Sequence, residues 1–156
     1  DRYRFRLNTT GLSLPESSCI NALLTSRTGN QFSLLILYYL VVSKLHLPIY
    51  ALSFRNNLLL GYYDPEVAYD AFGSDADPYL FYINPEHNGA IIGYRELEYS
   101  FKTEMTQSLI DTRTSETDLD LLKRLVLNLK SAFISNNRYD KVAVAEKIIL
   151  LLQTNK

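Results

Sequence analysis

Nine consecutive apolar residues, Leu34 to Val42, sit inside the stretch Arg27–Ala51 and constrain this chain more than any other feature. Thr28, Gly29 and Asn30 open the run, and Leu47-Pro48 closes it. Proline cannot continue a helix and disfavours helical geometry in the residue before it. A segment without a polar stripe has no solvent face, so the run reads as a helix buried on all sides. Spanning a bilayer takes about 20 apolar residues, so no membrane crossing is expected. A strand, Ile49 to Phe54, follows after a minimal connection. The amino end of the helix, expected to be exposed, is the natural place for a site. Its unpaired N–H groups and its dipole favour an anion such as a thiolate.

With 156 residues, the chain fits one domain or one domain with a small appendage. A net charge of −1 argues against a general nucleic-acid binder, because neutralising phosphates needs a basic surface. The single cysteine, Cys19, rules out an intrachain disulfide framework and fits a reducing compartment, hence a cytoplasmic protein. No stretch reads as a signal peptide. A chain opening at Asp1 without methionine is expected to be processed or trimmed.

Arg2 to Leu7 alternates arginine with Tyr3, Phe5 and Leu7, the period of an edge strand or arm with a solvated basic face. An acidic partner contact is the alternative. Pro15 suits the first turn of a short helix with Cys19, Ile20, Leu23 and Leu24 on its inner side and Gly29 just past its end. There Cys19 reads as a core thiol rather than a nucleophile. Ile49 to Phe54 and Leu58 to Tyr63, joined through Arg55-Asn56-Asn57, read as a hairpin. The acidic stretch Asp64 to Pro78 carries five carboxylates, but it lacks the spaced D-x-D-x-D-G pattern of a calcium loop. It is expected to be a solvated insertion without metal. Tyr79 to Ile83 and Ala90 to Gly93 read as strands, and a helix is expected from Arg95 to Met105. From Thr114 onward, with Thr114 or Ser115 as cap, apolar residues on steps of three and four predict two helices joined at Asn136-Asn137. A linker is expected at Gln107 to Arg113.

Four blocks in order carry a resemblance. Arg27-Thr28-Gly29-Asn30-Gln31-Phe32-Ser33-Leu34, with the exit Leu47-Pro48-Ile49-Tyr50, resembles the R-x-G-x-P-I-S-L helix start and G-L-P-V-Y exit of the bacterial SirB-type transglutaminase-like family. Asn56-Asn57-Leu58-Leu59-Leu60 resembles that family's G-H-F-L-L, and Asn84-Pro85-Glu86-His87-Asn88-Gly89 its D-P-F-x-G-G. The tail, Leu127 to Lys130 through Tyr139 to Lys141, is similar to the tetratricopeptide-like hairpin that closes these proteins. The resemblance covers about Ser17 to Leu151. The family's usual helix ahead of its first motif is not evident, so an upstream part is expected to be missing.

The resemblance implies an α+β fold with a papain/transglutaminase-like core, residues 1–106, in which one buried helix packs on an antiparallel sheet. A C-terminal helical hairpin, residues 107–156, follows. It also implies a site. Catalytic members place a cysteine at the helix start and a histidine and an aspartate at the heads of successive strands. Those places fall on Gln31, Asn57 and Asn84, expected to converge. A glutamine is no nucleophile, and an asparagine amide neither accepts a proton nor stabilises an imidazolium. The expected function is therefore non-catalytic: binding or scaffolding of a protein or peptide, with no cofactor and no metal, on a face made from the tail hairpin and the sheet edge beside it. Binding candidates are Ser33, His87, Tyr62 and Tyr82. The alternative is a rebuilt-site amide hydrolase or acyltransferase, and a purely structural module is the third reading.

Overall fold

The computed structural model describes residues 4–10, 14–54, 57–101 and 112–154. In chain order these form strand β1 (Arg6–Leu7), a 3-10 turn (Pro15–Ser18), helix α1 (Ile20–Ser26), β2 (Thr28–Gly29) and α2 (Gln31–Lys44). Then come β3 (Ile49–Phe54), β4 (Asn57–Tyr63), α3 (Pro65–Phe72), β5 (Tyr79–Asn84), a second 3-10 turn (Pro85–His87), β6 (Ala90–Ile92) and α4 (Tyr94–Phe101). β7 (Arg113–Ser115), α5 (Asp118–Ser135) and α6 (Tyr139–Thr154) complete the series. The chain divides into two compact units, residues 38–116 and residues 1–37 with 117–156.

The unit of residues 38–116 is built on an antiparallel sheet of five strands in the order β6-β5-β4-β3-β7. The architecture is mixed helix and sheet, as an α+β transglutaminase-like fold requires. Leu52, Phe54, Leu59, Tyr82 and Leu97 form a buried cluster on one sheet face. Leu52 faces Leu59 and Gly61 faces Tyr82 across the strands, and directly opposed residues share a face. Gly61 has no room for a side chain, since a methyl there would lie 2.6 Å from both Leu52 and Tyr79.

The other unit joins the two-stranded parallel β1–β2 ladder, α1, the start of α2 and the C-terminal helical hairpin. Its buried side chains include Leu23, Leu34, Leu35, Leu121, Val126, Ala132 and Ala145.

Several expectations need correction. The apolar run is a helix, but it is not buried all round: Leu40 and Val41 are 53% and 51% exposed. Chain-wide apolarity therefore overstated burial, as it does wherever apolar atoms share the surface. The helix expected from Pro15 is a 3-10 turn and a separate α1, broken at Cys19 in an extended conformation. Leu24 is consequently exposed, and the left-handed cap of α1 is Arg27 (φ 60°), not Gly29. The acidic stretch is no bare loop: Asp64 caps α3, accepting the Val67 N–H at 3.1 Å, and Pro65 sits at its first turn. Thr114 and Ser115 belong to β7, and the cap of α5 is Thr117, in a reciprocal box with Asp120. Tyr139, expected inside the hairpin, is exposed. Residues 1–3 of the alternating arm, 55–56 of the hairpin turn, 102–105 of the fourth helix and 107–111 of the linker lie outside the described residues.

Candidate functional site

The amino end of α2 is where a site was expected to open, and the chain itself fills it. Asn30 is the N-cap, and its Oδ1 accepts the Ser33 N–H at 3.0 Å. Its Nδ2 donates to Ser18 Oγ at 2.6 Å and to Asn128 Oδ1 at 2.7 Å. Ser18 Oγ in turn donates to Asn128 Oδ1 at 2.5 Å. Asn128 lies on α5, so one amide of the tail hairpin closes the network over the helix start. Ser33 Oγ donates to the Ser17 carbonyl at 2.7 Å and is fully buried. Its proton is held by a backbone acceptor and its oxygen has no path to solvent. Such a hydroxyl is a packing and bonding group, out of reach of a ligand. Gly29 completes the seal, because a methyl there would lie 2.3 Å from Ser33 Oγ.

The two strand-head positions belong to neighbouring strands of the sheet unit, Asn57 at the start of β4 and Asn84 at the end of β5. Leu60 faces Ile83 across β4 and β5, and continuing that register by one residue puts Asn84 on the side of Leu59. Asn57 lies two residues beyond Leu59, on the same face and at the same end of the sheet. Diagonal neighbours of this kind are roughly 7–8 Å apart. Asn57 is exposed and Asn84 half-buried. Asn84 Oδ1 accepts the Glu86 N–H at 3.0 Å, capping the turn Pro85–His87. That oxygen is therefore engaged by backbone.

Of the remaining candidates, His87 is exposed on that turn, and Tyr62 is half-buried, its ring stacked on Phe81 at 5.0 Å. Tyr82 is fully buried. Its hydroxyl donates to Asp77 and accepts from Arg113 Nη1 at 2.8 Å. Burial, then the Asp77 hydrogen bond, push the Tyr82 phenol far above its ordinary range. Arg113 also pairs with Asp77 at 2.6 Å, and its guanidinium lies 4.5 Å from the Tyr79 ring centre. Burial works against the Arg113 charge, but the Asp77 hydrogen bond, together with the charges of Tyr82 and Asp77 and the Tyr82 hydrogen bond, outweighs it and holds the guanidinium above its ordinary range. Sequence reasoning missed this cluster. Asp77 falls in a stretch that reads as solvated and Arg113 in one that reads as a linker, and a pair 36 positions apart leaves no local pattern.

Cys19 is half-buried, and its thiol donates to the Pro15 carbonyl at 3.3 Å. Burial, with Glu16 nearby, raises its pKa, which disfavours the reactive thiolate. Among the described residues no group of three His, Cys, Asp or Glu side chains could hold a metal ion. None of their helices is long and apolar enough to cross a membrane.

No curated protein and no solved structure matches the chain. Its residues 1–127 do match a protein family. That match covers more than half of the sequence, and by it the chain belongs to the transglutaminase-like superfamily.

Proposed function

We propose that this chain is a non-catalytic, SirB-type transglutaminase-like protein that acts by binding a protein or peptide. Its core is papain-like and its tail a tetratricopeptide-like hairpin. The observation that carries the reading is the chemistry of three positions: where the family's resemblance puts thiol, imidazole and carboxylate, this chain has Gln31, Asn57 and Asn84. The surroundings agree. Ser33, the nearest hydroxyl to Gln31 along α2, is buried with its proton on a carbonyl, and Asn84 spends its oxygen on a turn. Acyl transfer needs a nucleophile within hydrogen-bond reach of a base. The hairpin adds a reason for binding. Leu122, Ile148 and Leu151, outside the set expected for internal packing, remain exposed. A cytoplasmic setting fits the single free cysteine.

The test is release of ammonia from a glutamine-amide peptide, with and without an amine acceptor, by repurified protein. No turnover above buffer is expected, and none is expected to appear or vanish with Cys19→Ala. Turnover that survives repurification and disappears on His87→Ala or Ser33→Ala would replace this reading with the rebuilt-site enzyme.

A further inference from the structure

The short helix α3 carries a largely exposed surface. Among its eight residues only Ala68 is buried, while Val67, Tyr69 and Phe72 stand 48%, 62% and 75% exposed. Pro65, Glu66, Tyr69 and Asp70 line an open depression of about 400 Å^3. Glu66 and Asp70 are four positions apart, neighbours on the helix surface, and like charges at that spacing destabilise a helix. No ion pair of either is found among the described residues. The sequence around them is one-sided in charge too. Between Arg55 and Arg95 there is no Lys or Arg, against six carboxylates, and among the described residues Asp77 is the one of these with an ion pair, to Arg113.

We propose that this face of α3 docks a basic segment of a partner protein, with an arginine or lysine side chain seated between Tyr69 and the Glu66/Asp70 pair. The inference rests on the reading of the chain as a binding protein and names the chemistry of what it binds. A cation over the tyrosine ring gains from the ring's negative face, and a guanidinium can bond two carboxylates at once. An incoming cation also relieves the repulsion between the two acids. Arg113 shows the same chemistry inside the fold, held by a carboxylate, a tyrosine hydroxyl and a tyrosine ring. The exposed Val67 and Phe72 supply apolar area beside the charge, so neighbouring apolar residues of the segment are held as well.

The test is fluorescence anisotropy of the full chain with a labelled Gly-Arg-Ser repeat peptide and its citrulline analogue. Saturable binding of the arginine peptide is expected, weakened about tenfold or more by citrulline and by Glu66→Gln/Asp70→Asn. Tyr69→Ala, at an exposed position, should weaken it about threefold or more without altering the circular dichroism. Glu16→Gln/Asp140→Asn removes the same charge elsewhere and should change affinity by less than about twofold. Equal affinity of parent and Glu66→Gln/Asp70→Asn overturns the site, as does an equal loss in the Glu16→Gln/Asp140→Asn control, which would mean diffuse attraction. Sedimentation velocity covers the other occupant: self-association abolished by Glu66→Gln/Asp70→Asn would assign the face to a second copy and overturn the proposal. Each of these outcomes leaves the non-catalytic reading standing; only turnover in the ammonia-release assay removes that.

Discussion

Arg113 and Asp77 meet at 2.6 Å with their side chains 12% and 4% exposed, joining the edge strand β7 to the segment that enters β5. Removing one member of a buried pair strands the other charge, which typically costs about 3–5 kcal/mol. Arg113→Met should therefore destabilise the protein by roughly 3 kcal/mol or more, read from the urea midpoint. Arg113→Met/Asp77→Leu should recover part of that loss, because no charge is left buried. If the single variant unfolds at the parental midpoint, the pair is not holding the sheet.

Tyr82 predicts how stability falls in alkali. Its phenol is raised above the ordinary value of about 10, so the folded state keeps a proton that the unfolded state releases. The contribution is complete below about pH 10 and is lost as pH rises, at roughly 1.4 kcal/mol per pH unit for one proton. Tyr79, raised by its own burial, adds to the same trend. Urea titrations from neutral pH upward should show this decline. Tyr82→Phe should flatten it while lowering stability at neutral pH, and an unchanged slope in that variant would contradict the assignment.

Gly29 is packed from three sides: a methyl there would meet Ser33 Oγ at 2.3 Å, Leu23 Cδ1 at 2.9 Å and the Ser17 carbonyl at 3.3 Å. Gly29→Ala should cost about 1–3 kcal/mol through overpacking. Ser33→Ala in the same chain should return only part of it, since Leu23 and the backbone of Ser17 remain in the way. Thermal melts of the two single variants and of Gly29→Ala/Ser33→Ala measure the coupling.

The strand-head pair can be read by titration. Asn57→His places an imidazole on the same sheet face as residue 84, and Asn84→Asp then adds a carboxylate one diagonal away. The nearby negative charge favours the imidazolium, so the imidazole of Asn57→His/Asn84→Asp should titrate about one unit above that of Asn57→His alone. Proton resonances of the ring report it directly. Identical titrations in the two proteins would mean that the strand heads do not face one another.

Periodic features were legible from residues alone. Alternation and turn residues marked β3, β4, β5 and β6, and steps of three and four marked both hairpin helices within a few residues of their ends. Side-chain fate was not. Leu34 and Leu40 look alike in a run of apolar letters, yet one is fully buried and the other half exposed, because packing partners decide. β7 is three residues long and polar, and it exists because it pairs with β3, opposite Leu52, Ser53 and Phe54. The positions Gln31, Asn57 and Asn84 came from a family resemblance. The cluster of Asp77, Tyr82 and Arg113 follows from tertiary contact, which no local pattern announces.

The short strand β7 also bears on how the tail can be exchanged. It leaves the sheet at Ser115, the Glu116 N–H still bonds the Ala51 carbonyl at 2.9 Å, and Thr117 at once caps α5. Only two residues thus separate the last sheet strand from the first hairpin helix. A graft that swaps the tail as a cassette from residue 107 takes the sheet's fifth strand and the cation of Asp77 with it. A graft that joins at Thr117 keeps both, so the workable seam for building chimaeras lies at the helix cap.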